Sequence, residues 1–284
     1  MSSKRKIKRF APSVIGILLV AIVAGFFLFR YSMQAAPGEL LYPLKRQTEE
    51  TLKQLTITTA DKKIEYEVKL ADKRLLELKK VRDDVARATV AVDNFNKHFD
   101  NIEAYYEELI KQGDNDKSFA NFEKINFSIY SFQRTVEASK KTYNNVEYKN
   151  AVGAATSRLN KSVDNLFEIS VNNFGEYPKF LKYAIDTYEG YQYKRVFEEI
   201  KYAKDDYEAV KKLASTEQKT TTEKQINDFE TKYDELMKKR TELTAKQIFD
   251  ILKELKKMEF DISVSLVEIS KNAAKVSPAP TPAE

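Results

Sequence analysis

Between Phe10 and Phe29 the chain runs for twenty residues without a charge. At about 1.5 Å per helical residue the stretch spans about 30 Å, the thickness of one bilayer hydrocarbon core. No other segment restricts the fold so strongly, because a helix this apolar needs lipid or a large core around it. Lys4, Arg5, Lys6, Lys8 and Arg9 precede it. Cations beside a membrane-spanning end favour the cytoplasmic side, which puts 1–10 inside as a basic segment, 11–31 across the bilayer as a signal anchor, and the remainder outside. Tyr31 stands where an interfacial aromatic belongs. The rival is a cleaved signal peptide ending at Ala35 or Ala36. Met33 and Gln34, two residues before those ends, are large, and Pro37 follows Ala36, so the retained anchor is the preferred reading.

The net charge of +5 belongs to this end of the chain. Residues 1–36 hold six bases and no acid, which leaves 42 bases and 43 acids in 37–284. A nucleic-acid reader carries its positive charge on the folded domain, so nucleic acid is not an expected partner. With no cysteine, thiol catalysis, thiolate metal sites and lipoprotein acylation are excluded.

Beyond the anchor, prolines stand at 37, 43 and 178 and then only at 278, 280 and 282, and 191–277 lacks both glycine and proline. Such spacing suits long helices. Ile64, Val68, Ala71, Leu75, Leu78, Arg82, Val85, Ala88, Val92, Phe95, Phe99, Ile102, Tyr106 and Leu109 recur in alternating steps of three and four, a coiled-coil-like seam in which Arg82 alone is not apolar. The seam predicts one helix from Asp61, as N-cap, to Gln112, stopped by Gly113. A second seam runs from Phe122 to Val146 and a third from Val152 to Leu166. Asn172–Pro178 marks a turn, Tyr183–Leu213 is helical in composition, and a last helix runs from near Thr222 past Ile269. The fold class expected is all-α: a single transmembrane helix, a juxtamembrane linker over 32–42, an elongated antiparallel helical bundle over 43–272, and a disordered Pro/Ala tail over 273–284. Intermolecular coiled coil is the alternative, so an oligomer stays open.

Pro37-Gly38-Glu39-Leu40-Leu41-Tyr42-Pro43-Leu44-Lys45-Arg46, followed by Leu70-Ala71-Asp72-Lys73-Arg74-Leu75-Leu76-Glu77-Leu78, resembles the bacterial domain of unknown function 5667 family over residues 37–90. Lys73 replaces the first of that family's paired arginines. The resemblance implies a bacterial envelope protein with this module just outside its anchor, and carries no activity. Read from the residues alone, Pro43 starts a helix. Tyr42 and Leu44 are expected to pack on the long helix, with Lys45 and Arg46 facing solvent or head groups. The segment Tyr42, Pro43, Leu44, Lys45, Arg46 is either a structural entry turn or a docking surface for a partner.

Little in the chain points to chemistry. His98 is the single histidine, too few for a two-histidine di-iron bundle, and its place beside Phe95, Phe99 and Ile102 suits a flanking or partly buried role. Asp114-Asn115-Asp116 opens like a calcium loop, but Phe119 and Ile125 occupy the glycine and glutamate positions. Paired acids such as Glu198-Glu199 and Asp205-Asp206 diverge around a helix and read as solvated faces. Tyr183, Tyr188, Tyr191 and Tyr193 crowd one segment and offer an aromatic binding face, although Phe180-Tyr183 and Phe197-Tyr202-Tyr207 sit near core spacing. No catalytic, cofactor-binding or metal residue is assigned. The function expected is a membrane-anchored, extracytoplasmic, non-enzymatic interaction or spacer module of the bacterial envelope. Its partners are the lipid bilayer through 11–31 and a protein or cell-wall component. A ligand-sensing bundle signalling through a partner protein is the alternative, and an envelope-polymer enzyme the third.

Overall fold

The computed structural model describes residues 19–142, 145–188 and 194–276, and within them every regular element is helical. Helix α1 covers 19–32. It is followed by α2 (Tyr42–Thr56), α3 (Ala60–Lys80), α4 (Val85–Ile110), α5 (Asn115–Thr142), α6 (Val146–Phe174), α7 (Pro178–Tyr188), α8 (Lys194–Val210), α9 (Thr216–Lys239) and α10 (Ala245–Val276). Short 3-10 turns at Lys211–Leu213 and Arg240–Glu242 follow α8 and α9. The chain expected as one bundle over 43–272 divides into two compact units, Met1–Leu166 and Phe167–Glu284.

The seam from Ile64 to Leu109 is not one helix. It folds at 81–84 into a hairpin of α3 and α4, and Arg82, its one charged position, falls in the turn. Asp84 causes the break: its side chain accepts the Arg87 backbone N–H at 3.1 Å, an N-cap that restarts the helix. Lys79 and Lys80 close the last turn of α3, where cations suit the carbonyl end of the helix dipole. The N-cap of α3 is Thr59, with Asp61 in its first turn. Gly113 has φ +77 and stops α4 as expected. The expected last helix also divides. Thr244 and Gln247 bond each other's backbone N–H groups, a reciprocal cap that starts α10, and Ser215 with Gln218 does the same for α9.

In the first unit, ion pairs set α2 antiparallel to α3, joining Lys45 to Glu77 and Lys53 to Glu67. The halves of the seam then face each other across the α3–α4 hairpin, burying Ile64, Leu75 and Leu78 with Val92, Phe99 and Ile102. Helix α5 returns along α4, with Phe132 edge-on to Phe95 and Phe99 at 5.9 and 6.1 Å and Phe122 beside Tyr106. Arg158 of α6 bonds Glu103 and Asp100 of α4. Each fully buried phenylalanine here, Phe95, Phe99 and Phe122, is worth about 1.5–3 kcal/mol.

The second unit centres on Phe167, which lies 5.2 Å from Phe180 and 5.4 Å from Phe249. Helix α8 buries Val196, Ile200, Ala203 and Tyr207, steps of four, three and four. Phe197 and Tyr202, read as near core spacing, are therefore on its exposed side, where Phe197 leans on Tyr233 at 6.1 Å.

Residues 11–18 of the expected membrane span lie outside the described residues. Within 19–32 the side chains from Leu19 to Phe29 are exposed. That part is about 21 Å long, and among the described residues no helix is long and apolar enough to cross a membrane. Helix α10 continues to Val276, four residues into the segment expected to be disordered; 277–284 lie outside the described residues.

Candidate functional site: a buried charge ladder and a pinned linker

Helix α2 is amphipathic in the inverse sense. Its buried face is Tyr42, Lys45, Glu49 and Lys53, while Leu44, Leu52 and Leu55 are exposed. Thr48 and Thr56 donate their hydroxyls back to the Leu44 and Leu52 carbonyls, and the exposed side mixes these leucines with Gln47, Glu50, Thr51 and Gln54. The inner face meets Glu67, Arg74 and Glu77 of α3, themselves buried.

Three carboxylates carry the network. Glu77 accepts from Lys45 Nζ at 2.5 Å, from Tyr42 Oη at 3.0 Å and from Arg74 Nη1 at 2.7 Å to each oxygen. Glu49 accepts from Arg74 Nη2, with Arg46 and Lys73 at 3.4 and 3.5 Å. Glu67 accepts from Lys53 at 2.9 Å, Asn101 at 3.2 Å and His98 at 2.6 Å. Asn94 of α4 donates to the Tyr42 hydroxyl. The buried acids Glu49, Glu67 and Glu77 are matched in number by Lys45, Lys53 and Arg74. Desolvating six charges is costly unless each is paired and hydrogen-bonded, and here each has an opposite charge within hydrogen-bond reach, while the buried Arg74 Nε is left without a partner.

His98 joins α4 to both other helices. Its Nε2 lies 3.1 Å from Arg46 Nη1, and arginine can only donate, so Nε2 accepts and the ring proton sits on Nδ1, which donates to Glu67. Burial holds its pKa below the ordinary 6.5, against the upward pull of the Glu67 carboxylate and with Arg46 and Arg74 adding to the depression. Burial alone would raise Glu67, but the bonds from His98 and Lys53 outweigh it and hold that carboxyl below 4.5. Lys53 is pushed down by burial and further up by Glu67, ending above its usual value. Burial raises the Tyr42 phenol.

The same helix ends grip the linker. Lys45 Nζ donates to the Ala35 carbonyl at 2.9 Å, Lys80 Nζ to Gln34 at 3.3 Å and Arg87 Nε to Pro37. Ala35 and Ala36 are buried, and the Ala36 N–H is capped by Glu39. Gly38 has φ +83, and a Cβ there would meet Arg87 Nε at 2.8 Å. Only glycine satisfies both the turn and the clamp.

Of the residues singled out for docking, Tyr42 and Lys45 point inward, Pro43 and Leu44 are exposed and Arg46 is half-buried. The expectation that Leu44 packs and Lys45 faces solvent is reversed. The surface of α3 that receives α2 is lined by carboxylates, so the cation goes in and the leucine out. Glu49, Lys53, Glu67, Arg74 and Glu77 went unrecognised as a set. The available signal was Glu67 and Arg74, seven residues apart and each one place before a seam position, where a coiled coil puts the charges that choose a further partner. Asp114 caps α5 by accepting the Lys117 N–H at 2.9 Å. Tyr183 is half-buried on α7 and Tyr188 ends that helix; Tyr191 and Tyr193 lie outside the described residues. Among the described residues no cluster of His, Cys, Asp and Glu is arranged to hold a metal ion. An open groove of about 490 Å³ runs along α3 and α5, with Asp61, Glu65, Lys117 and Lys124 around Ile64 and Ile125. No protein-family model matches the chain, and no curated protein and no solved structure matches it.

Proposed function

We propose that the chain is a membrane-anchored, extracytoplasmic helical protein that acts as a non-enzymatic interaction or spacer module of the bacterial cell envelope. The observation that carries the reading is the linker. Cleavage after Ala35 or Ala36 would remove residues that the first unit uses: the Ala35 carbonyl satisfies buried Lys45, and Gln34 satisfies Lys80. A hydrogen bond to a charged group is worth about 1.5–3 kcal/mol, which supports a retained amino-terminal segment over a cleaved one. The ladder supports a mechanical role, since its charges hold α2 against α3 and α4. The residues that resemble the domain of unknown function 5667 family are among those that build it.

Fractionation of cells expressing the full chain, with amino-terminal sequencing of the product, tests the reading. The expected product stays with membranes through a high-salt wash, keeps its first residues and is digested by protease added outside. A soluble product beginning at Ala36 or Pro37 overturns it. The groove along α3 and α5 favours ligand sensing as the second reading, because its volume lies in the range of small-molecule sites. A ligand-induced rise in melting temperature that Lys117→Glu abolishes would support sensing.

A further inference from the structure

The bonds from Lys80 and Arg87 to the linker identify one end of the first unit, formed by the last turn of α3, the 81–84 turn and the first turn of α4, as the end from which α1 departs. Leu40 sits at this end, two residues before α2 begins beside Glu77. It is 94% exposed, more than any other large apolar side chain among the described residues. The same end carries Lys79, Lys80, Arg82 and Arg87, and Arg30 precedes the pinned linker on α1, against Glu39, Asp83 and Asp84. Arg82 lies 3.7 Å from Asp83 and Arg87 3.5 Å from Glu39, so part of the positive charge is matched locally and an excess of two remains.

We propose that this end of the first unit docks on the bilayer surface, with Leu40 inserted among the head groups and Arg30, Lys79, Lys80 and Arg82 facing the phosphates of anionic lipids. The inference rests on the anchor reading. Two observations choose lipid as the occupant: the apolar exposed surface of α1 leads directly into this end, and the surplus charge is complementary to anionic head groups. The pinned linker keeps this end of the unit close to the end of α1, because Gln34, Ala35 and Pro37 are all bonded to it. A single exposed leucine with a few cations binds membranes weakly by itself; here the anchor supplies the proximity, so the contact has only to orient the unit.

The chain has no cysteine, so single substitutions can be labelled cleanly. The full chain carrying Phe26→Cys, Leu40→Cys or Gln112→Cys is labelled with a fluorophore and placed in nanodiscs of phosphatidylcholine containing about one third phosphatidylglycerol, with brominated acyl chains as quencher. Gln112 follows the far end of α4 and reports on the opposite end of the unit. Strong quenching is expected at 26, and several-fold more at 40 than at 112. The docked-to-undocked ratio should fall about fivefold for each cation lost, so Lys79→Glu with Arg82→Glu, or discs of phosphatidylcholine alone, should return position 40 toward the level of 112. Quenching at 26 with none above the 112 level at 40 overturns the docking proposal and leaves the anchor standing. Quenching at 40 that ignores both lipid charge and the Lys79→Glu, Arg82→Glu pair overturns the assignment to anionic head groups. Absence of quenching at 26 overturns the anchor reading itself.

Discussion

Replacing Arg74 by methionine removes the one side chain that touches two of the three ladder carboxylates. Its Nη1 serves both oxygens of Glu77 and the Tyr42 hydroxyl, and its Nη2 serves Glu49. Breaking a buried pair by deleting one partner costs about 3–5 kcal/mol, because the other charge stays buried. Glu77 keeps Lys45 and Tyr42, while Glu49 keeps only the longer contacts of Arg46 and Lys73. That places the loss near the lower end, about 3 kcal/mol, or about a hundredfold in the opening equilibrium at 1.4 kcal/mol per decade. Lys73, the preceding residue, is the built-in control. Its side chain is 42% exposed and lies 3.5 Å from Glu49, so Lys73→Met should cost no more than about 1 kcal/mol. Hydrogen exchange at α3 amides, measured on the full chain in detergent, reads the first unit without the second. Exchange in Arg74→Met no faster than in Lys73→Met would refute the ladder as the element that holds α2.

Three further outcomes follow from the same geometry. Because the folded pKa of His98 is below 6.5, the unfolded chain binds a proton in that interval that the folded chain refuses, so stability is fully present above 6.5 and is lost as pH falls through the folded value. Glu67, held below 4.5, adds a loss that sets in below that value; pH-dependent exchange should show stability falling from 6.5 downward in the native chain, and His98→Gln should remove the part above 4.5 and weaken the rest, since the His98 bond helps hold Glu67 down. Gly38→Ala places a side chain at φ +83 against Arg87; it should cost about 1–2 kcal/mol and raise proteolysis at the linker, and unchanged cleavage would argue against the clamp. Phe167→Ala empties a fully buried site between Phe180 and Phe249 and should destabilise the second unit by about 3–5 kcal/mol, read as faster exchange in α10.

The helical class and the identity of most core residues were legible because a period near 3.5 survives from Ile64 to Leu109 and again from Phe122 onward. The breaks were not legible from that period, because the phase of the stripe continues through the turn. What divides α3 from α4 and α9 from α10 is chemistry of one or two residues, the Asp84 cap and the Thr244–Gln247 pair, in segments without glycine or proline. Helix α2 defeated the reading for another reason. Hydrophobic patterning assumes that leucines face the protein, whereas α2 is received by a surface whose acids reward lysine. The site could have been suspected from Glu67 and Arg74 at heptad spacing, but their partners Lys45, Glu49 and Lys53 become visible only once α2 folds back beside α3.

The inverted α2 also bears on the order of assembly. The α3–α4 hairpin forms from neighbours in sequence and gains apolar burial as it closes, which is the cheap and early kind of event. Helix α2 has less such incentive, since Tyr42 is the aromatic it buries, its leucines stay largely outside and its charges leave water only for partners already in place. Glu67, Arg74, Glu77 and His98 must therefore be positioned before α2 can seat, which predicts that it joins after the α3–α4 hairpin and detaches from it before the hairpin opens in acid. Because Lys45 ties α2 to Ala35, the grip on the linker closes in that same late step.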